Sequence, residues 1–189
     1  MYIFDPILES IGPSKSCYER DIWTVQAARR LYEQACSRGR LNRLWGLITR
    51  RSCRLLDLRM IEATYHIQAC HYLGVQMVLL NQICGSEGRS VDFDNLFYPR
   101  QKHSQERWLR VAAARITGLA LPPVGLIQVG DNYFVWDGHH RVSAARALGD
   151  QYIEAEVTVW QVNNPLPGKQ PVSLTLPQPA AISTCQTTG

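Results

Sequence analysis

The segment Asp137-Gly138-His139-His140-Arg141-Val142-Ser143-Ala144-Ala145-Arg146-Ala147-Leu148-Gly149 constrains this chain more than any other. It follows an apolar run, Tyr133-Phe134-Val135-Trp136, rich in the aromatic and β-branched residues of a strand. The polar cluster then opens a short helix, alanines fill its body, and Gly149 stands where a left-handed C-terminal cap belongs. A strand that turns through glycine into a helix presents unpaired backbone N–H groups at the positive end of the helix dipole. That geometry holds phosphate or carboxylate. Two histidines and an arginine add protonatable and permanently charged donors. The segment predicts an anion site, with nucleotide phosphate as the expected ligand.

A helical wheel places Arg141 on the face of Ala145 and Leu148, the face expected to pack inward. An arginine there loses hydration unless something negative meets it. Two kinds of partner satisfy it: a carboxylate such as Asp137 or Glu154, or a ligand phosphate, which suits the planar guanidinium. His139 and His140 point about 100° apart on a helix, so they do not share one metal ion there. No Cys-x-x-Cys or His-x-x-x-His pattern accompanies them, and no metal site is expected.

The chain of 189 residues is long enough for one ordinary domain plus an appendage, or for two small domains. A 46% hydrophobic and 19% charged composition is that of a globular protein, and a net charge of +4 permits an acidic partner without demanding one. Six scattered cysteines and a start without a basic, apolar leader point to reduced thiols in a cytoplasm. No apolar stretch approaches the roughly 20 residues of a membrane helix, so no membrane partner is expected.

Four regions follow from the pattern. Residues 1–18 read as a poorly ordered lead. Residues 19–73 read as a basic helical region, with a first helix through Trp23, Ala27, Leu31 and Ala35 broken at Ser37-Arg38-Gly39. A second helix then covers Leu41 to Thr49, and a third runs from Leu55 through Ile61 and Tyr65. Residues 74–162 carry short apolar runs between turn residues. Residues 163–189, with five of the ten prolines, read as a disordered tail.

Within 74–162 the elements assemble in order. Val75 to Ile83 is a strand ending in the loop Cys84–Arg89, and Gln105 to Gly118 a helix with Trp108, Val111, Ala112 and Ile116 inward. Val124 to Val129 and Tyr133 to Trp136 form a hairpin through Gly130-Asp131-Asn132. The helix at His140 follows, then a strand in which Ile153, Ala155, Val157 and Val159 alternate with polar residues. The expected fold class is α+β: a small mixed sheet with packed helices, preceded by a helical N-terminal region.

Leu121 to Val159 resembles the N-terminal domain of ParB partition proteins, in the ParB/sulfiredoxin superfamily. Gly138-His139-His140-Arg141 falls where those proteins carry Gly-Glu-Arg-Arg before an alanine-rich helix. The Asp-Gly-His-His-Arg variant looks closer to the free-serine kinases of that group. Leu80-Asn81-Gln82-Ile83 and the loop to Arg89 resemble its first motif. Stand-alone bacterial ParB-like proteins with Asp-Phe-Asp, Pro-Arg and Glu-Arg-Trp stretches are also similar, here at Asp92-Phe93-Asp94, Pro99-Arg100 and Glu106-Arg107-Trp108. The resemblance spans about residues 74–160.

It implies nucleotide handling: ADP, ATP or CTP, with magnesium where phosphoryl chemistry occurs. Arg89, Gly138, His139, His140 and Arg141 would contact the phosphates, with Ser143 as an extra hydroxyl. Hydrolase or phosphotransferase activity would call on Glu87 as base and on Asp137 and His140 beside the acceptor. For Asp137 the competing role is N-cap of the helix, and for Glu87 a solvated turn carboxylate. Sulfiredoxin chemistry needs a cysteine nucleophile at His139 and is rejected. ParB-type partition is disfavoured, because a Pro/Thr-rich stretch stands where a helix-turn-helix domain would follow. An alternative function comes from Arg20 to Arg59, where ten arginines face only Asp21, Glu33 and Asp57. Such helices suit a non-specific nucleic-acid backbone, with nuclease activity an associated reading, or decorate a solvated face. A non-catalytic regulatory role for the pocket completes the set.

Overall fold

A computed structural model describes residues 17–101 and 103–163. The chain opens with a long helix, α1 (Cys17–Thr49), then β1 (Leu56–Asp57), α2 (Leu58–Thr64) and β2 (Ile67–Leu79). A single 3-10 turn (Leu80–Gln82) leads to β3 (Ile83–Ser86) and α3 (Gln105–Ile116). The hairpin β4 (Val124–Val129) and β5 (Asn132–Asp137), α4 (His139–Leu148) and β6 (Tyr152–Val162) complete it. The six strands form one mixed sheet in the order β1-β3-β5-β4-β6-β2, with β4–β5 and β2–β6 antiparallel and the other pairs parallel. This is the expected α+β class, a mixed sheet with packed helices behind an N-terminal helix. Apart from residues 17, 18 and 163, the expected lead and tail lie outside the described residues.

Three expectations for the first half are corrected. The break at Ser37-Arg38-Gly39 does not exist, and α1 runs through it. Gly39 serves contact instead: a Cβ there would stand 2.8 Å from Tyr98 Cβ. One turn pair later a Cβ on Gly46 would collide with Cys53 Sγ, so both glycines let backbone and side chains approach closely. The third helix shrinks to seven residues. Asp57 caps it by accepting the Arg59 N–H at 3.1 Å, and Tyr65 already stands outside it in extended conformation.

The strand read from Val75 to Ile83 is two strands on opposite sides of the sheet. β2 begins at Ile67, where helix was expected, and the exposed Asn81 and Gln82 turn the chain toward β3. Arg146 of α4 holds that turn. Its Nη2 donates to the Leu80 carbonyl and, at 2.7 Å, to the Ile83 carbonyl, while its guanidinium lies 5.1 Å from the Phe97 ring centroid. A half-buried cation thus satisfies carbonyls that a continuous strand would have paired.

Packing follows residue size. One core joins the sheet to the 93–97 loop and α4 through Ile83, Phe93, Phe97, Leu126, Val135 and Val142. On the helical layer, Ala28, Tyr32 and Ala35 of α1 meet Trp108 and Ala112 of α3 and Ala144 and Ala147 of α4. The alanines let three helices close around one indole, whose ring meets Tyr32 edge-on at 5.2 Å. Leu58 and Ile61 of α2 pack with Ile127, Val129 and Phe134 in a separate cluster. Ile116, expected inward, is 38% exposed at the end of α3.

Gly39→Ala is expected to lower stability by about 1–3 kcal/mol through overpacking against Tyr98, although alanine favours a helix interior by about 1 kcal/mol. Urea unfolding measures this; an unchanged or raised midpoint contradicts the close-contact role.

Candidate functional site

The site grows from the β5–α4 junction. β5 ends at Asp137, Gly138 turns the chain with φ 87°, and α4 begins at His139. A Cβ on Gly138 would lie 2.8 Å from Val124 Cγ1 and 2.9 Å from Arg141 Nε, so glycine is required by both backbone and space. Gly149 ends α4 in the left-handed conformation, as expected, and Asp150 N–H returns to the Ala145 carbonyl. No side chain caps the N-terminus of α4. Asp137 is therefore not the N-cap. It belongs to the strand, and its carboxylate is taken by another partner.

That partner is Arg141, whose Nη2 donates to Asp137 Oδ2 at 2.5 Å. Arg141 Nη1 also donates to the carbonyls of Pro122 and, at 2.6 Å, Pro123. Of the partners weighed for this arginine the structure provides Asp137 plus two backbone oxygens, and Glu154 is not among them. The inward face is also partial. Ala145 is fully buried, but Leu148 is 39% exposed.

Both imidazoles of the first turn are buried, each only 6% exposed. His139 Nε2 and Ser86 Oγ, at the end of β3, are joined by a 2.7 Å hydrogen bond. The ring stacks on Phe93, with centroids 6.2 Å apart and planes 16° from parallel. His140 meets the same phenyl edge-on at 5.5 Å. Among the described residues neither His140 Nδ1 nor Nε2 has a hydrogen-bond partner, a costly arrangement for buried nitrogens.

Burial pushes the His139 pKa down to about 4, helped by the charge of Arg89 and by His140, against Asp137 and a backbone hydrogen bond to Val135. His140 is also pushed down to about 4, first by burial, then by Arg107 and Arg89, with Asp92 opposing and His103 adding. Both rings are neutral at pH 7.

A cleft of about 200 Å³ opens at this turn, with Arg89 and Arg107 facing the Asp137–Arg141 segment and Trp136 at its margin. Arg89 is shared with Asp92 at 3.5 Å. Among the described residues no carboxylate pairs with Arg107. The structure thus brings Arg89, Asp137, Gly138, His139, His140 and Arg141 together.

Two expected residues fall outside. Ser143 is fully buried, and its hydroxyl accepts from Trp108 Nε1 at 2.8 Å, so it cannot reach a ligand in the cleft. Glu87 is exposed, spends its N–H on the Val135 carbonyl at 2.9 Å, and does not line the cleft. Arg107 and Trp136 were not singled out from sequence as site residues. Arg107 lay within the quoted Glu-Arg-Trp stretch, where helix α3 turns it toward the cleft while Trp108 anchors the core. Asp92 and Phe93 of the Asp-Phe-Asp stretch meet Arg89 and the two imidazoles. Among the described residues no group of three or more His, Cys, Asp or Glu is placed to hold a metal ion. No helix there is long and apolar enough to cross a membrane.

No family model matches this chain, and no curated protein matches it. Among solved structures it is similar to the crystal structure of sulfiredoxin from Arabidopsis thaliana. That likeness covers 44% of this chain and 82% of the other, at 19% identity and a TM-score of 0.34.

Unfolded histidine titrates near 6.5, whereas both buried rings titrate near 4. Below about pH 6.5 the unfolded chain takes up protons that the folded chain refuses. Stability is then full above that pH and falls as pH drops toward 4. His140→Leu is expected to flatten this fall, measured by urea unfolding at pH 7 and at pH 4.5. The same loss in variant and parent would contradict the burial of a neutral His140.

Proposed function

We propose that this chain binds the phosphates of a nucleotide at the N-terminus of α4. The observation that carries the reading is His140: a nearly buried imidazole with two unpartnered nitrogens, set beside Arg89 and Arg107 at an uncapped helix start. The oxygens of a phosphate there would between them accept from the ring N–H, from both guanidinium groups and from the first-turn amides. Binding an anion also relieves the cost of leaving the N–H of the neutral ring unpaired.

Size narrows the ligand. A cleft of about 200 Å³ suits one or two phosphate groups and not a whole nucleoside, so sugar and base would lie outside it. Trp136, 49% exposed at the margin, offers a ring face for the base. ADP, ATP and CTP are the nucleotides to test, in keeping with the resemblance of Gly138-His139-His140-Arg141 to the ParB-type loop. Any magnesium would arrive on the phosphates, since no side-chain cage for it is present among the described residues. Arg141 holds the loop in shape through Asp137 and the proline carbonyls. Binding alone is proposed, since Glu87 is not among the residues that line this cleft.

Calorimetric titration with ADP, ATP and CTP, each with and without magnesium, tests it. At least one is expected to bind, and Arg107→Ala to weaken it tenfold or more, the loss of a charge-assisted hydrogen bond worth about 1.5–3 kcal/mol. Absence of binding by all three, or unchanged affinity in an Arg89→Ala, Arg107→Ala double variant, would overturn the proposal.

A further inference from the structure

The far end of α1 has two apolar faces, and the fold uses one. Ala28, Tyr32, Ala35, Gly39 and Gly46 are buried. About 150° around the helix at 100° per residue, Leu41, Leu44, Trp45 and Ile48 form a stripe at i, i+3, i+4 and i+7 spacing. They are 66%, 57%, 65% and 74% exposed, and neighbouring Leu47 is 78% exposed. The four stripe residues lie within roughly 10 Å of helix length, and Leu47 sits about 110° round the helix from their mean direction, on the side of Leu44; exposed apolar surface of this extent marks an interaction surface.

The surroundings of the stripe are one-signed. Residues 37–54 hold six arginines and no aspartate or glutamate. Beside the stripe a cleft of about 580 Å³ lies between α1, the 51–54 segment and Arg100. Leu44 and Leu47 form part of its lining, with Arg40, Arg43, Arg51, Arg54 and Arg100 around them. Among the described residues only Arg43 has a carboxylate near, Asp94 at 3.9 Å, and its Nη1 has no hydrogen-bond partner there. Asp94 is itself spoken for by the N–H groups of Leu96 and Tyr98 and by Asn42.

We propose that this half of α1 and its arginine-walled cleft form a docking surface for an acidic amphipathic helix of a partner protein. Charge complementarity makes the occupant acidic. The exposed leucines and Ile48 make it amphipathic, because a nucleic-acid backbone has no use for aliphatic side chains and reads arginine alone. A second copy is the poorer occupant: two-fold pairing of the stripe would set residues 37–54 of each copy, which hold six arginines and no aspartate or glutamate, against one another. A flat anionic bilayer meets convex surfaces and leaves the cleft empty, whereas a helix with apolar anchors at i, i+3, i+4 and i+7 fills stripe and cleft together. The surface lies apart from the cleft at the start of α4, so the proposal stands independently of nucleotide binding.

The test uses the full chain and a fluorescent helical peptide with leucine at i, i+3, i+4 and i+7 and glutamate on both flanks. A control peptide carries serine for leucine at the same charge. Phosphatidylserine vesicles and a 20-base-pair DNA duplex serve as competitors. Saturable binding is expected, weakened tenfold or more in the serine control and in Leu47→Glu or Arg51→Glu variants. These residues are exposed, and circular dichroism verifies that both variants fold. No binding of the leucine peptide in low salt would overturn the proposal. So would equal binding of the serine control, or displacement of the peptide by vesicles or DNA at lower concentration.

Discussion

The burial of two neutral imidazoles in the first turn of α4 is the constraint around which this structure is arranged. Neither His139 nor His140 gains from leaving water without a partner, and the fold meets that cost differently at each ring. His139 receives Ser86 from β3 and the face of Phe93. His140 receives the edge of the same phenyl and nothing for its nitrogens. One ring therefore ties the helix to the sheet, and the other keeps two buried nitrogens without a partner in a cleft shared with Arg89 and Arg107. A binding site that needs pre-organised, desolvated polar groups has the same shape.

The arginines divide along a related line. Arg141 and Arg146 are consumed by the fold: one clamps the Pro122–Pro123 carbonyls and Asp137, the other the turn between β2 and β3. Arg115 fixes the far end of α4 through Asp150 at 2.5 Å. With α4 pinned by three guanidinium groups, its start cannot drift from Gly138, and the cleft keeps its form. Among the described residues Arg107 is in no ion pair, and the Arg89 guanidinium pairs with Asp92 alone. Charge left over at a helix N-terminus is charge available to an anion.

The second half of the fold was legible because local signals agree there. Val124 to Val129, the glycine turn, Gly138 and the Gly149 cap each have a local physical reason, and β6 alternates along its length. The first half was not legible for equally local reasons. Gly39 reads as a helix breaker, yet its purpose is contact with Tyr98, a residue 59 positions away that no helical pattern reveals. β2 and β3 read as one strand because the turn between them is held by Arg146 from another element. Around the site, Gly138, His139, His140 and Arg141 stood in one contiguous motif. Arg107 reaches the cleft only through the packing of α3 on α4, which Trp108 and Ser143 enforce. Serine near a helix start reads as a ligand hydroxyl, whereas Ser143 satisfies the buried indole of Trp108.

The state of the His140 ring tests the central claim most directly. Nitrogen-15 NMR of the imidazoles, followed across pH with and without pyrophosphate, reports its protonation. The ring is expected to be neutral in the free protein, titrating near pH 4, with a pKa that rises clearly once the dianion is bound beside it. A His140 pKa that pyrophosphate leaves unmoved, or one already near 6.5 in the free protein, would contradict that claim.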